Sequence, residues 1–295
     1  MKILNSPQEA DRAERAVALG TFDGVHRGHA AVIESARATG LRSTVVTFEP
    51  HPRAVLGYEV QLLTSFERRV ELIGELGPDE LLVVDFTPKL SRLSSEAFAE
   101  TVLFPLGTRV VVAGEGFRFG AGRKGDLDLL AALGFEVRPV PVLEGVSSSR
   151  IRELLRAGDV RSAAALLGRP AEVEGVVVAG DQRGGTLGFP TANLAVRAEF
   201  VVPTYGIYAG EALGCRAAVS IGVNPHYGGV ERRIEAFLLD FHGDLYGERL
   251  RVELWERLRD ERSFESEEDL VAQIACDVEA ARSSTRPVEK PRPPV

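Results

Sequence analysis

Two of the five histidines in the chain lie three residues apart, in a loop rich in glycine. The stretch GTFDGVHRGHAAVI, residues 20–33, follows an apolar run that ends at Leu19 and precedes a predicted helix. Glycines let a backbone approach a ligand closely, and a helix N-terminus offers unpaired amide donors. Imidazole rings held there can donate hydrogen bonds to phosphate oxygens. The loop therefore predicts a phosphate site with these candidates: Gly20, Phe22, Asp23, His26, Gly28 and His29. The alternative is that both histidines merely cap the helix or lie on the surface.

The elements that must position this loop alternate through the first half of the chain. Short β-branched runs predict strands at residues 16–20, 44–48, 81–86, 109–114 and 136–142. Apolar residues at helical spacing predict helices at residues 30–39, 66–76, 94–103 and 126–134. Such alternation implies right-handed crossovers and a mostly parallel, Rossmann-like sheet. Ligands of such sheets bind beyond the carboxyl ends of the strands, which is where the loop after the first predicted strand lies.

The pattern changes near residue 170. Five runs follow with turns between them and no helical segments, at residues 173–181, 206–213, 215–223, 233–241 and 249–258. They predict a compact antiparallel barrel. One terminal helix is predicted from Ser266 to Ala281, because its first turn is acidic. We therefore expect an α/β domain at 1–168, an all-β barrel with one terminal helix at 169–283, and a disordered tail at 284–295, which is rich in proline and charge.

Composition limits the classes of function. A chain of 295 residues suffices for two domains, and 44% hydrophobic with 26% charged residues is typical of a soluble globular protein. The net charge of −8 argues against a nucleic-acid partner. No apolar run approaches the ~20 residues that span a bilayer, and no signal peptide is visible, so we expect a cytoplasmic protein without a membrane partner. Cys215 and Cys276 are expected to be two buried thiols rather than a disulfide.

The histidine stretch resembles the signature of the nucleotidyltransferase superfamily. Three further blocks, TFEPHPR (47–53), GEGFRFGAGRKGD (114–126) and VSSSRIRELLRAGDV (146–160), are similar to the FAD synthetase module of bacterial bifunctional riboflavin kinase/FAD synthetases. GGTLGFPTANL (184–194), PTYGIYAG (203–210) and IEAFLLDFHGDLYG (234–247) resemble the riboflavin kinase module of the same proteins. The resemblance covers about residues 14–281, with the motifs in the same order.

For the first module the resemblance implies transfer of AMP from ATP to FMN, giving FAD and pyrophosphate. His26, His29 and Arg152 would be the catalytic residues, and Ser147, Ser148 and Ser149 would bind phosphate, although three serines before a helix also form a plain cap. Asp23 is a turn former, or it orients the loop or approaches Mg²⁺ indirectly. His51, Arg118 and Asp126 would contact the flavin; His51 could instead fix a loop between two prolines. Phe117 and Phe119 form a flavin wall or belong to the core.

For the second module the resemblance implies transfer of the γ-phosphate of ATP to riboflavin. Thr191 and Asn193 would be oxygen ligands of Mg²⁺ and bind phosphate together with Gly180 and Gly184, although P-T-A-N alone is typical of a β-turn. Glu235 would be the general base, on the same strand face as Phe237, unless it is an exposed strand glutamate. Arg259 and Phe264 match positions where the family contacts the flavin edge.

Four departures from the family pattern are visible: Gly116 where Asp is usual, Gly185 where a basic residue is usual, His226 within P-H-Y where P-T-F is usual, and I-E-A-F at 234–237 where V-E-V-H is usual. None of them removes a candidate catalytic residue. We expect a bifunctional enzyme that uses ATP, riboflavin and FMN as substrates and Mg²⁺ as cofactor, as a monomer or with weak self-association. The alternatives are that only the adenylyltransferase is active, or that the chain is a flavin- or nucleotide-binding regulator without turnover.

Overall fold

The computed structural model describes residues 1–180, 187–226 and 229–288 and contains two compact units, Met1–Ser148 and Ser149–Val295. Gly184 and Gly185, both named by the sequence motifs, lie outside the described residues. The segment from Ser149 to the boundary predicted at 168 belongs to the second unit. Within the described ranges, no helix has both the length and the apolar character needed to cross a membrane.

The first unit is built on a six-stranded parallel sheet. Its strands are β1 (Lys2–Leu4), β2 (Arg15–Leu19), β3 (Arg42–Glu49), β4 (Glu80–Asp85), β5 (Thr108–Gly114) and β6 (Glu136–Val140). Its helices are α1 (Arg27–Arg37), α2 (Pro52–Val55), α3 (Phe66–Glu75), α4 (Ser95–Phe98), which continues as a π-helix over Ala99–Leu103, and α5 (Leu127–Ala132). The strand order is β1-β4-β3-β2-β5-β6, and every neighbouring pair is parallel. The predicted parallel sheet is confirmed, while the short edge strand β1 was not predicted.

The sheet separates two apolar cores. Val17 and Leu19 of β2 face one of them, and Ala16 and Ala18 face the other. All five residues of β2 are buried, as expected of a parallel strand covered by helices on both faces. Because successive side chains alternate between faces, the continuous apolar run that predicted β2 supplies both cores.

A buried ion pair joins β2 to β4 at the amino edge of this sheet. Arg15 is fully buried and donates to the carboxylate of Glu80 at 2.8 Å and to the carbonyl of Leu106 at 2.9 Å. Burial works to raise the pKa of Glu80, but hydrogen bonds from Arg15 and Thr44 outweigh it and the pKa is lowered. This network fixes the amino edge of the sheet, whereas the predicted sites follow the carboxyl ends.

The second unit contains the helices α6 (Ser148–Arg156, which starts at the last residue of the first unit) and α7 (Val160–Leu167) and a closed antiparallel barrel. The strands are β7 (Ala171–Val178), β8 (Ala192–Ala195), β9 (Gly206–Ala212), β10 (Cys215–His226), β11 (Gly229–Leu238) and β12 (Arg249–Arg259). They close in the order β10-β11-β8-β7-β12-β9. The predicted barrel is confirmed, but β8 was missed because its four residues lie within a motif that is typical of a turn.

The C-terminal helix spans Glu267–Ser283, and Ser266 caps it by accepting from the amide of Asp269 at 3.1 Å. Residues 284–288 of the predicted tail are described: Ser284 is buried, and Arg286 pairs with Glu253 of β12 at 2.7 Å. Residues 289–295 lie outside the described part.

Both cysteines are free. Cys215 is half-buried and Cys276 is exposed, so the prediction of two buried thiols is wrong. Consecutive residues of a helix point in different directions. Because Asp277 on the C-terminal helix is buried, the preceding Cys276 points toward solvent.

Glu80→Gln removes the charge that faces the buried guanidinium of Arg15. The free energy of unfolding of the first unit should fall by about 3 kcal/mol at pH 7, since the fully buried guanidinium then keeps only one carboxylate partner, the exposed Asp11 at 2.7 Å. Folding lowers the pKa of Glu80. Its contribution to the free energy of unfolding is therefore fully present above the pKa of an unfolded glutamate, about 4.3, and is lost as the pH falls through the lower pKa of the folded state. The gap between wild type and variant should therefore shrink at pH 3.

The difference in unfolding free energy between wild type and variant is measured by hydrogen exchange across a urea series. Peptides from β2 and β4 report on the first unit alone, so unfolding of the barrel does not enter the measurement. Glu14→Gln is the matched control, because the pair of Glu14 with Arg109 is exposed on both sides and should contribute little. A gap that does not change between pH 7 and pH 3 would contradict the assignment.

Two candidate active sites, one in each unit

The chain order of the first sheet reverses between β2 and β5. From β2 the chain continues to β3 and β4 on one side, and it then returns to add β5 and β6 on the other side. In open α/β sheets the crevice outside the carboxyl ends of the strands at this reversal is the usual ligand site. The loops after β2 and β5 therefore flank the expected crevice, and these loops carry most of the predicted site residues of this unit.

The histidine loop, residues 20–29, follows β2 in an unusual backbone conformation. Phe22 and Val25 have φ values of 53° and 38°, in the left-handed region that side chains disfavour. Gly24, at φ 81°, lies where a Cβ atom would come within 2.6 Å of Leu63. The buried carboxylate of Asp23 accepts from the amide of Leu63 at 3.0 Å, which ties the loop to the segment before α3. This bond helps to orient the loop, which is one of the roles expected for Asp23.

The two histidines of this loop are stacked. Their ring centroids are 3.6 Å apart and their planes differ by 14°. Nδ1 of His26 accepts from the amide of His29 at 3.3 Å and caps α1. In a neutral imidazole whose Nδ1 accepts, the ring proton lies on Nε2, which makes that atom the donor. The capping interpretation therefore holds for His26, and it also fixes which ring nitrogen can donate to an anion.

The serine segment meets the histidine loop within the first unit. Ser148 Oγ donates to the carbonyl of Asp23 at 3.0 Å, and Ser148 is also the first residue of α6. Ser147 and Ser148 belong to the first unit, whereas Ser149 and Arg152 belong to the second. The structure thus brings one predicted serine to the loop directly.

The remaining predicted residues of the first unit are fixed by local contacts. Arg118 and Asp126 form an ion pair at 2.6 Å after β5. Asp126 caps α5 by accepting from the amide of Leu129. This hydrogen bond is the main cause that lowers the pKa of Asp126, and Arg118 lowers it further. His51 is buried and its Nδ1 accepts from the amide of Arg53 at 3.2 Å, so His51 fixes the turn after β3.

Phe119 belongs to the apolar core, and Phe117 stacks on it with centroids 5.7 Å apart. For Phe119 the core interpretation is therefore the right one. Gly116 is exposed, and a Cβ atom placed on it would meet nothing within 4 Å.

The candidate site of the barrel is a row of side chains across neighbouring strands. Asn193 of β8 is in register with Glu235 of β11, and Glu235 with Ser220 of β10. The row continues through Ile207 of β9 to Arg259 of β12. Residues in register share one face and lie about 5 Å apart. This face is the outer one, because the alternate positions, such as Ala236, are fully buried.

Glu235 is 29% exposed, shares its face with the half-buried Phe237, and lies 3.5 Å from Arg233. It is thus neither in the barrel interior nor a fully exposed strand glutamate. A half-buried carboxylate beside an amide and an arginine can accept a proton and remain accessible to a substrate hydroxyl.

The residues next to Glu235 offer oxygen donors of the kind that a hard cation prefers. Thr191 carries a hydroxyl immediately before β8, and Asn193 carries an amide oxygen. A Cβ atom on Gly180 would lie 2.3 Å from the Asn193 amide group, so glycine there lets the backbone close against this side chain. No group of three or more acidic, histidine or cysteine side chains in the described ranges could hold a metal ion. Thr191 and Asn193 are thus two oxygen donors of the kind that a hard cation prefers.

Arg259 at the end of β12 is held by the C-terminal helix. Its Nε and Nη2 donate to the two carboxylate oxygens of Asp277 at 2.9 and 2.6 Å. Asp277 is 6% exposed and also accepts from Gln273 at 2.8 Å. Phe264 lies 6.0 Å from the guanidinium carbon and lines an open cleft of about 400 Å³ between its loop and this helix.

The sequence interpretation missed Asp277. A signal was present, since Asp277 falls on the stripe of Leu270, Ile274 and Ala281, where an amphipathic helix would carry an apolar residue.

Comparison with known proteins gives two family matches. The FAD synthetase family matches residues 8–151, and the riboflavin kinase family matches residues 167–285. A bifunctional riboflavin kinase/FMN adenylyltransferase of Listeria monocytogenes is 38% identical over 91% of this chain and 92% of its own length. Its namesake in Escherichia coli strain K12 is 35% identical over 96% and 97%.

A crystal structure of a Streptococcus pneumoniae protein called a macrolide-efflux protein is similar at a TM-score of 0.86 and 32% identity, over 96% of this chain and 99% of that one. It shares the fold over nearly the whole length. The resemblance seen in the motifs is confirmed, and the chain belongs to the family of bifunctional riboflavin kinase/FMN adenylyltransferases.

Proposed function

We propose that this chain is an enzyme with two ATP-dependent transfer activities. The barrel unit phosphorylates riboflavin to FMN, and the parallel-sheet unit supplies the loop that transfers AMP from ATP to FMN, giving FAD and pyrophosphate. The observation that carries this proposal is that both family matches fall in succession on one chain, 8–151 and 167–285. The proposal is also supported by the position of the motif loops of the first unit, which follow β2, β3 and β5 at the edge where such folds bind ligands.

For adenylyl transfer, an oxygen of the FMN phosphate attacks the α-phosphorus of ATP in line, and pyrophosphate leaves. Both reactants are anions, so positioning and charge neutralisation matter more than a base. Nε2 of His26, His29 and the first amides of α1 donate to the ATP phosphates. Ser147 and Ser148 of the same unit bind the departing pyrophosphate, a role that the family resemblance also assigns to Ser149 and Arg152. His51, Arg118 and Asp126 contact the flavin.

For phosphoryl transfer, the terminal ribityl hydroxyl of riboflavin attacks the γ-phosphorus of ATP, and ADP leaves. Glu235 accepts the hydroxyl proton as the new oxygen–phosphorus bond forms. Thr191 and Asn193 would hold Mg²⁺, which would neutralise charge on the phosphates when bound. Gly180 and Gly184 let the backbone approach these phosphates. Arg259 and Phe264 hold the flavin edge.

The expected partners are small molecules alone. We also propose a cytoplasmic location and a monomeric or weakly self-associating chain; the net charge of −8 disfavours nucleic acid.

Incubation of the purified protein with riboflavin, ATP and Mg²⁺, followed by chromatography, tests both activities together. FMN and FAD both form if the proposal holds. If riboflavin stays unchanged while FMN added to a second sample becomes FAD, only the adenylyltransferase is active, and no conversion of either flavin would leave a binding protein.

Glu235→Gln keeps the size of the side chain and removes the base. Riboflavin phosphorylation should slow by about 10²–10⁴-fold, while FAD formation from supplied FMN stays at the wild-type rate. Both rates are measured by separating the flavins after timed quenching. Glu248→Gln, an exposed glutamate of the same unit, is the control and should change neither rate. Loss of both activities in Glu235→Gln would contradict a kinase-specific role.

His29→Ala should have the opposite effect. Adenylyl transfer to FMN should slow by about 10²–10³-fold, because one donor to the ATP phosphates is lost, and riboflavin phosphorylation should continue. His242→Ala, which removes an exposed histidine of the other unit, provides the comparison. An unchanged FAD rate in His29→Ala would remove the histidine from the mechanism.

Asp277→Asn should release Arg259 from its charged partner without removing the guanidinium. We expect the KM for riboflavin in the kinase reaction to rise about tenfold with little change in kcat, since Arg259 then holds the flavin edge less well. Asp244→Asn, at an exposed site, is the matched variant. Fluorescence of Trp255, the single tryptophan of the chain, reports whether the barrel stays folded. An unchanged KM with a folded barrel would show that Asp277 does not position Arg259 for flavin.

A further inference from the structure

Arg69 is a buried arginine at the carboxyl edge of the parallel sheet that none of the motifs includes. It lies on α3 and is 4% exposed. Its guanidinium donates to the carbonyls of Thr21 at 3.2 Å and Phe48 at 3.3 Å, and it forms an ion pair with Glu49. Three acceptors around one planar group fix its orientation.

These acceptors belong to the ends of two neighbouring strands. Thr21 is in the histidine loop after β2, and Phe48 and Glu49 end β3 shortly before His51. The hydroxyl of Thr47 donates to the same Thr21 carbonyl at 3.0 Å. The Thr21 carbonyl thus receives two side-chain donors, one from α3 and one from β3.

The peptide that carries this carbonyl leads directly into a strained residue. Phe22 has φ 53°, a conformation that is unfavourable for a non-glycine residue and persists only where its surroundings hold it. Fixing the Thr21 carbonyl fixes the peptide plane on the amino side of Phe22. The Phe22 ring then meets the ring of His29, with centroids 5.2 Å apart at an angle of 61°. Arg69 and Thr47 are thereby connected to His29 through one peptide and one aromatic contact.

Arg15, the buried arginine at the opposite edge of the sheet, provides a comparison. Its bonding is complete, as expected of an arginine that stabilises the fold, whereas the bonding of Arg69 within the described part of the chain is not. Nε, Nη1 and Nη2 of Arg15 all have partners, among them two carboxylates. Nε of Arg69 is buried without a hydrogen-bond partner among the described residues, and its one carboxylate partner, Glu49, is 37% exposed. A buried guanidinium with incomplete bonding is costly, and an apolar side chain could fill the same place.

We infer that Arg69 is a positioning residue for adenylyl transfer. It holds the Thr21 carbonyl, and with it the left-handed Phe22, so that the rings of His26 and His29 face the ATP phosphates in a fixed arrangement. Thr47 is its assisting donor. The inference rests on the proposed adenylyltransferase site in the first unit and is independent of the kinase site in the barrel.

Arg69→Lys tests this, because lysine keeps the charge but cannot bond to three acceptors in one plane. Adenylyl transfer to FMN should lose about 10–100-fold in kcat/KM, since small displacements of a positioning group are costly. Riboflavin phosphorylation in the same sample should stay within about twofold of wild type. The NMR signals of His26 and His29 in histidine-labelled protein, assigned with single histidine substitutions, should shift.

Arg15→Lys is the matched control: the same substitution at the other buried arginine described above, in the same unit. It should lower the unfolding midpoint while, below that midpoint, the two histidine signals and the adenylyl transfer rate stay at wild-type values. Thr47→Val is the milder second variant in case Arg69→Lys does not fold, and it should shift the same two signals. The inference is overturned if Arg15→Lys moves these signals as far as Arg69→Lys does, or if neither Arg69→Lys nor Thr47→Val moves them. Absence of FAD formation by the wild-type protein would refute the proposed function instead, and the histidine signals would still decide whether Arg69 sets the loop.

Discussion

The first candidate site depends on the parallel pairing of β2 with both β3 and β5. Parallel strands end at the same edge of a sheet, so the loops that follow these strands converge although they are far apart in the sequence. The histidine loop, the turn that contains His51 and the Arg118–Asp126 pair all lie at that edge. The opposite edge is fixed by the buried pair of Arg15 and Glu80, which holds β2 beside its neighbours. The stabilising ion pair and the candidate site therefore lie at opposite ends of the same strands.

The barrel positions its candidate site by register instead. In an antiparallel ladder, directly opposed residues share a face, and a shift by one residue would move every side chain to the other face. Asn193, Glu235 and Ser220 are consecutive members of one such row. The apolar residues at alternate positions, among them Val219 and Ala236, are buried and so fix the register energetically. The same burial that stabilises the barrel keeps the carboxylate of Glu235 on the outer face beside the amide of Asn193.

Charged groups that are buried or partly buried connect both sites to their scaffolds. Asp277 holds Arg259 from the C-terminal helix, and Arg69 holds the carbonyl of Thr21 from α3. Such groups are costly to desolvate, and hydrogen bonds with fixed directions offset the cost. They give the site loops an orientation that apolar packing alone would not specify, since packing has no preferred hydrogen-bond direction.

Much of this protein follows from its sequence. The alternation of apolar runs predicted the parallel sheet and the barrel, because burial on two faces or on one face imposes different periods on the chain. The glycine-rich histidine stretch identified the loop after β2, since its residue types are those that an anion site requires. The strand β8, the roles of Asp277 and Arg69, the core position of Phe119 and the exposure of Cys276 depended on tertiary structure. Each of these features depends on which residues from distant parts of the sequence are neighbours in the folded protein. A local sequence pattern does not contain that information.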